Sequence, residues 1–304
     1  MIPARTIVIK LGTSSLIDET THDIQYDIVA GVASTVAALR DGGYRVVLLS
    51  SGAVGFGLLR MGLPSRPSSL LGKQALAAIG QGEVMSMWSN VFSQRGIAVA
   101  QVLLTHDDIA SPKRYDHAVN TFNELLSIDV VPIVNENDTL STKEIQIGDN
   151  DTLGAITATM VHASYLFLLT DVDSLYASNP KHDVHASRID LVTSISSLRE
   201  RLDFSDLGAG SANGTGGMAT KLRAAEIASA AGIFTVIASS SRPSVVSEIL
   251  EYYDGERMGN GASSESSGDT EDGRPLHTLF FPDPCSRKGN GLKAVGLEIP
   301  PLMS

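Results

Sequence analysis

Six stretches of this chain run apolar without the alternation a half-buried strand would show: residues 6–11 (TIVIKL), 45–49 (RVVLL), 97–104, 130–134, 165–169 (YLFLL) and 234–238. Between them lie helical patterns. Ile24, Ile28, Val32, Val36 and Leu39 recur at helical spacing before Gly42-Gly43, and residues 73–92, 115–126, 152–161 and 216–231 read as further helices. A strand that is apolar on both sides must be covered on both sides, and alternation with helices supplies the cover. The pattern predicts an α/β chain built on a mainly parallel sheet.

Ligands of such sheets bind beyond the carboxyl ends of the strands. Five ends here are polar or glycine-rich, those after Leu11, Leu49, Leu104, Val134 and Leu169. With 304 residues, 43% of them hydrophobic, the chain can bury a sizeable core. A net charge of −11 argues against a broad nucleic-acid or anionic-membrane surface, so the cations used on a phosphate should be concentrated locally. The single cysteine, Cys285, fits a reducing compartment. No signal peptide and no apolar run near the ~18 residues of a membrane span is seen, so a cytoplasmic protein is expected. Residues 254–274 (DGERMGNGASSESSGDTEDGR) have too little apolar surface to order themselves and are expected to form a mobile acidic loop. Residues 275–304 return to a strand at Leu279-Phe280-Phe281 and end in a Pro- and Gly-rich tail.

Several strand ends carry candidate chemistry. Lys10 closes the apolar run Ile7-Val8-Ile9, so it must reach solvent or meet an anion, and Gly12 lets a phosphate approach the backbone closely. Gly214-Thr215-Gly216-Gly217-Met218-Ala219-Thr220-Lys221 opens a helix, either as a phosphate cradle or as a flexible linker before it, and it is not a P-loop. Thr170-Asp171 ends another strand, where the carboxylate would orient a lysine, hold a metal or simply form a turn. Ser50-Ser51-Gly52-Ala53 offers hydroxyls and backbone N–H groups, or an ordinary cap. Asn135-Glu136-Asn137-Asp138 and Gly148-Asp149-Asn150-Asp151 would hold a metal, grip a polar ligand or punctuate the fold. No histidine pair or cysteine cluster suggests zinc, and no G-x-S-x-G or G-x-G-x-x-G follows a strand.

These pieces, taken in order, resemble the amino acid kinase family, and within it the members whose acceptor is L-glutamate. The motifs are VIKLGTSSL (8–16), LLSSGAV (48–54), KQALAAIGQ (73–81), QVLLT (101–105), VPIVNENDT (131–139), IGDNDTLGA (147–155), LLTDVDSLY (168–176) and GTGGMATK (214–221). The resemblance spans about residues 5–250 and implies a kinase domain over 1–253 with a three-layer αβα sandwich. It implies transfer of the ATP γ-phosphoryl group to the glutamate side-chain carboxylate, the first step of proline synthesis, with Mg2+ arriving on ATP. Proline would be an inhibitor, and the chain a homo-oligomer, dimer or tetramer. By motif, Lys10 and Lys221 would flank the transferring group, positioned by Asp151 or Asp171. Lys10, Gly12, Thr170, Asp171, Thr215, Gly216, Gly217, Met218, Ala219, Thr220 and Lys221 would line the nucleotide. Ser51, Gly52, Asn135, Asp138, Asp149 and Asn150 would hold the amino acid, with residues 140–147 as a flap. Residues 275–304 hold no counterpart of the RNA-binding-type module that many bacterial members carry. The rival expectations are a family member acting on acetylglutamate, aspartate, carbamate or a nucleotide, and a non-catalytic amino-acid sensor.

Overall fold

The computed structural model describes residues 5–18, 20–141, 149–178, 183, 185–201, 217–257 and 273–283. Strand β1 (Thr6–Leu11) leads through α1 (Thr13–Leu16) and α2 (Tyr26–Asp41) to β2 (Arg45–Ser50). Then come α3 (Ala53–Met61), α4 (Leu70–Ser93), β3 (Val99–Leu104), α5 (His106–Ala110), α6 (Pro112–Ser127) and β4 (Val131–Glu136). The rest runs α7 (Asn150–Met160), β5 (Tyr165–Thr170), β6 (Leu175–Tyr176), β7 (Arg188–Ile189), β8 (Leu191–Val192), α8 (Ile195–Arg201), α9 (Met218–Ala230), β9 (Phe234–Ser239), α10 (Val245–Arg257) and β10 (Thr278–Phe280).

Eight strands form one sheet in the order β3-β4-β2-β1-β5-β9-β10-β8. The six long strands are mutually parallel, while β10 runs antiparallel to β9 and β8 pairs parallel with β10. After β1 the chain builds outward on one side through β2, and then it crosses to β5 on the other. Such a reversal opens a crevice at the strand carboxyl ends, where ligands bind.

Each face of the sheet has its own core. Ile7, Ile9 and Leu11 of β1 pack with residues of α2, α4 and α10, whereas Val8 packs with residues of α6, α7 and α9. Side chains alternate along a strand, so Lys10 shares the face of Val8 and points toward α7 and α9. Ser50 of β2 lies on the opposite face, where its Oγ accepts from Trp88 Nε1 of α4 at 2.8 Å. The mainly parallel sheet covered on both sides is as expected.

The ends of elements differ from the sequence reading for local reasons. The helix expected from 152 starts at Asn150, because Asp149 caps it by accepting from Thr152 N at 2.8 Å. The strand expected over 130–134 extends to Glu136, because Leu104 of the edge strand β3 pairs opposite it. Helix α10 continues to Arg257, into the segment expected to be a loop. The cause is Asp254, whose carboxylate accepts from Arg5 Nη1 at 2.7 Å and from the Tyr44 hydroxyl at 2.9 Å. Residues 258–272 of that segment lie outside the described residues, as does most of the expected flap.

One contact sets the position of a strand end. Helices α3 and α4 touch backbone to backbone: a Cβ on Gly80 would lie 1.8 Å from Ala53 O, and one on Gly57 would lie 2.1 Å from Leu76 O. No side chain fits there, so both positions require glycine, and α4 is held directly against the turn after β2. Gly52 in that turn has φ +110°, a left-handed conformation that glycine adopts without strain.

Candidate active site

Three buried ionisable groups meet at the carboxyl end of β1. Lys10 Nζ lies 2.6 Å from Asp151 Oδ1, and Lys221 Nζ lies 3.3 Å from Asp151 Oδ2. Thr220 Oγ1 stands 2.7 Å from Asp151 Oδ2. Asp151 is 0% exposed, Lys10 5% and Lys221 6%. Each comes from a different element: Lys10 from the penultimate position of β1, Asp151 from the first turn of α7, and Lys221 from α9. Helix α7 packs on β1 through Gly154, which faces Lys10 Cβ and Leu166 Cδ1.

The electrostatics follow from one anion held between two cations. Burial pushes the Asp151 carboxyl up, but the attraction of Lys10 and then Lys221 outweighs it, and the group is held below the usual carboxylate range. The negative group in the first turn of α7 also complements the helix dipole. Lys221 goes down, first because of burial; Asp151 opposes this, and Lys10 adds repulsion. These two directions agree once the sharing is seen, since one carboxylate divides its attraction between two ammonium groups. With both lysines protonated the trio carries one net positive charge in a buried place, which suits an anion.

Beside this trio lies a chain of neutral polar side chains. Asn150 Nδ2 donates to Ser51 Oγ at 2.6 Å and to Asn135 Oδ1 at 2.8 Å. Asn135 Nδ2 donates to Gln81 Oε1 at 3.0 Å, and Gln81 Nε2 donates to Gln101 Oε1 at 3.0 Å. Asp149 uses its two oxygens on Thr152, one on the backbone N–H and one on the hydroxyl. Its carboxyl is raised, chiefly by burial.

Asp138 faces a cavity of about 350 Å3, which Gln81, Gln101, Glu136 and Asn137 also line. The Asp138 carboxyl is pushed up to about 6, first by burial and then by Glu136, against the opposing pull of Arg66.

The structure therefore brings together Lys10, Asp151, Lys221 and Thr220 on one side, and Ser51, Asn135 and Asn150 on the other. Gly12 adjoins the trio, since a Cβ there would sit 3.7 Å from Lys10 Nζ. Of the two carboxylates expected to orient the lysines, Asp151 is the one in contact with both. Asp171 lies exposed at the end of β5, where Thr170 Oγ1 donates to it at 3.1 Å. It acts on Lys221 only as a weak, more distant attraction. Gly217, Met218 and Ala219 begin α9, while Thr215 and Gly216 lie outside the described residues. Gln81 and Gln101 received no role from the sequence, although the first ends the KQALAAIGQ motif and the second opens QVLLT.

Comparison with known proteins agrees with this arrangement. The sequence model of the Amino acid kinase family matches residues 5–239. An uncharacterized protein of Saccharomyces cerevisiae is 46% identical over 92% of this chain and 69% of its own length. A probable glutamate 5-kinase of Schizosaccharomyces pombe is 46% identical over 90% of this chain and 65% of its own. The glutamate 5-kinase of Nostoc punctiforme is 47% identical over 81% of this chain and 66% of its own. The chain thus spans about two thirds of the length of these relatives. Among solved structures, the carbamate kinase of Giardia lamblia bound to AMP-PNP superposes with a TM-score of 0.62 at 19% identity, over 93% of this chain and 100% of that one. UMP kinase of Ureaplasma parvum does so with a TM-score of 0.57 at 15% identity, over 91% and 99%. The solved structures share the fold, the family model spans Lys10, Asp151 and Lys221 alike, and the chain belongs to the amino acid kinase family.

Proposed function

We propose that this chain transfers the γ-phosphoryl group of ATP to the side-chain carboxylate of L-glutamate, giving γ-glutamyl phosphate and ADP. The observation that carries the reading is the buried Lys10–Asp151–Lys221 trio set beside the Ser51–Asn135–Asn150 network. A positive site for a phosphoryl group adjoins a neutral donor-and-acceptor site for an amino acid. Glutamate's carboxylate is already ionised near neutrality, so the reaction needs no general base. A carboxylate oxygen bonds to the γ-phosphorus as the bond to the β–γ bridging oxygen breaks, and ADP leaves with that electron pair. What the protein must supply is alignment and positive charge against the passing group. Lys10 and Lys221 provide the charge, and Asp151 fixes where they point. Ser51, Asn135, Asn150 and Asp138 take the α-carboxylate and ammonium of the acceptor.

Magnesium bound to the triphosphate would screen the phosphate charge. Among the described residues no three His, Cys, Asp or Glu side chains converge, and the Asp151 oxygens face lysines and Thr220. That donor set fits an ion held mostly by phosphate oxygens and water, as magnesium prefers. Within the same reading, Thr170, Asp171 and residues 215–220 serve the nucleotide, and proline competes for the acceptor pocket. The enzyme works in the cytoplasm as a homo-oligomer. No helix among the described residues is long and apolar enough to cross a membrane.

The test is ATP-dependent acyl-phosphate formation, trapped with hydroxylamine, across glutamate, N-acetylglutamate and aspartate, with and without proline. Turnover of glutamate alone is expected. Turnover of another acceptor in its place would replace the substrate.

The Asp138 carboxyl predicts a pH dependence. Binding an ammonium needs the ionised form, so the KM for glutamate should rise as pH falls through about 6, by roughly tenfold per unit below it. For folding the sign is opposite. A carboxyl whose folded pKa lies above its unfolded one adds stability below the unfolded pKa and loses it as pH rises through the folded one. Acidification from pH 7 to 5 therefore does not weaken the fold through Asp138. Steady-state kinetics over that range, compared with Asp138→Asn, checks the assignment: the variant should show a raised KM without the slope, and an unchanged slope would remove Asp138 from the acceptor site.

A further inference from the structure

The amide network has a direction, and the direction starts outside the substrate-facing residues. Asn150 spends its NH2 on Ser51 Oγ and Asn135 Oδ1. Its own Oδ1 is thereby kept as an acceptor, and the Ser51 hydroxyl, having accepted, is left to donate. An acceptor beside a donor is what an ammonium and a carboxylate on one carbon require. This polarity holds only while Asn135 presents its oxygen to Asn150, which in turn requires an acceptor for the Asn135 NH2. Gln81 Oε1 is that acceptor, at 3.0 Å, and Gln101 takes the Gln81 NH2.

Gln81 is well placed for such a task. Residues seven apart on a helix share a face. Gln74 and Gln81 lie so on α4, and Gln74 Nε2 donates to Ser141 O at 3.0 Å while Gln81 receives Asn135. The helix thus holds β4 from within the strand and from just beyond it. The same helix fits against Ala53 through Gly80, so it is fixed to the Ser51 turn as well. Gln81 and Gln101 line the cavity of about 350 Å3, and Gln81 joins that wall to Asn135.

We infer that Gln81 is a positioning residue that sets the hydrogen-bond polarity of the acceptor site, acting through Asn135 and Asn150 rather than by touching the phosphoryl group. The inference rests on the proposed function for the acceptor's class, an amino acid, and it applies to whichever such acceptor the wild type phosphorylates.

The experiment compares Gln81→Leu and Gln81→Glu with the wild type in the hydroxylamine assay. Wild-type turnover across the acceptor panel reads the function itself, and variant-to-wild-type ratios read Gln81. Leucine removes the acceptor, so the KM for the amino acid should rise roughly tenfold while kcat and the KM for ATP stay within about twofold. Glutamate at this position still accepts from Asn135 Nδ2, with the Gln101 amide turned to donate, so it should restore most of the affinity. A merely structural glutamine would move kcat, both KM values and the melting temperature together in either variant. That pattern, or a Gln81→Leu enzyme with an unchanged acceptor KM, overturns the inference. Should Gln81→Leu not fold, Gln81→Glu decides: an acceptor KM within about threefold of wild type supports the role, and a loss of about tenfold or more refutes it.

Discussion

Replacing Lys221 with alanine should lower kcat by about 10²–10³-fold while leaving the KM for glutamate within a few-fold of the wild type. The lysine is 6% exposed and stands on α9, and its ammonium is 3.3 Å from Asp151 and across that carboxylate from Lys10. Its ammonium is held by Asp151, whereas the proposed acceptor side is held by the separate hydrogen bonds that join Ser51, Asn135 and Asn150. Its charge therefore matters most when negative charge spreads over the phosphoryl oxygens in transit, which is a gain in the transition state and not in the ground state. Stability should change little, because Asp151 keeps Lys10 at 2.6 Å on one oxygen and Thr220 Oγ1 at 2.7 Å on the other. The measurement is kcat and KM by trapped acyl phosphate, with the melting temperature alongside. Turnover within tenfold of wild type would remove Lys221 from the reaction, and a collapse of the melting temperature would make its role one of folding.

The sequence makes the scaffold easy to read and the roles of individual polar groups harder. Continuous apolar strands such as 165–169 and the helical spacing of Ile28, Val32 and Val36 report burial directly, since each residue's period depends only on its own element. The helices α1, α3, α5 and α8, of four to nine residues, are not legible because so few turns give little periodicity, and α10 is not because it runs into the polar segment from Asp254. For Lys10, the tension of a cation ending an apolar strand was visible in the sequence, but its partner, 141 positions later on α7, was not. The choice between Asp151 and Asp171 illustrates the limit. Both follow apolar or helical signals by similar rules, and only the packing of α7 on β1 places Asp151 between the lysines. Gln81 is the converse case. On a helix rich in Ala and Met a glutamine reads as surface, and its task appears only when β4 brings Asn135 within 3.0 Å.

The largest effect on the fold itself should come from Asp151→Asn. The substitution is nearly isosteric, so what it removes is charge. Two ammonium groups, 5% and 6% exposed, would then face each other with no anion between them. Breaking a buried pair by removing one partner costs about 3–5 kcal/mol, or roughly 5–15 °C in melting temperature for a chain of this size. The sign with pH follows from the carboxyl itself. Its folded pKa lies below the unfolded one, so its contribution is present above about 4 and is lost as pH falls further. Thermal melts from pH 7 to 2 should therefore show the gap between the wild type and the variant constant down to about pH 4 and narrowing below it. ATP should oppose the loss, because its phosphates supply negative charge to the same lysines. Saturating ATP is then expected to raise the melting temperature of Asp151→Asn more than that of the wild type, even though kcat falls with the lysines no longer held in place. Equal shifts in the two proteins would mean that the triphosphate does not meet Lys10 and Lys221, and the catalytic assignment of both would fall with it.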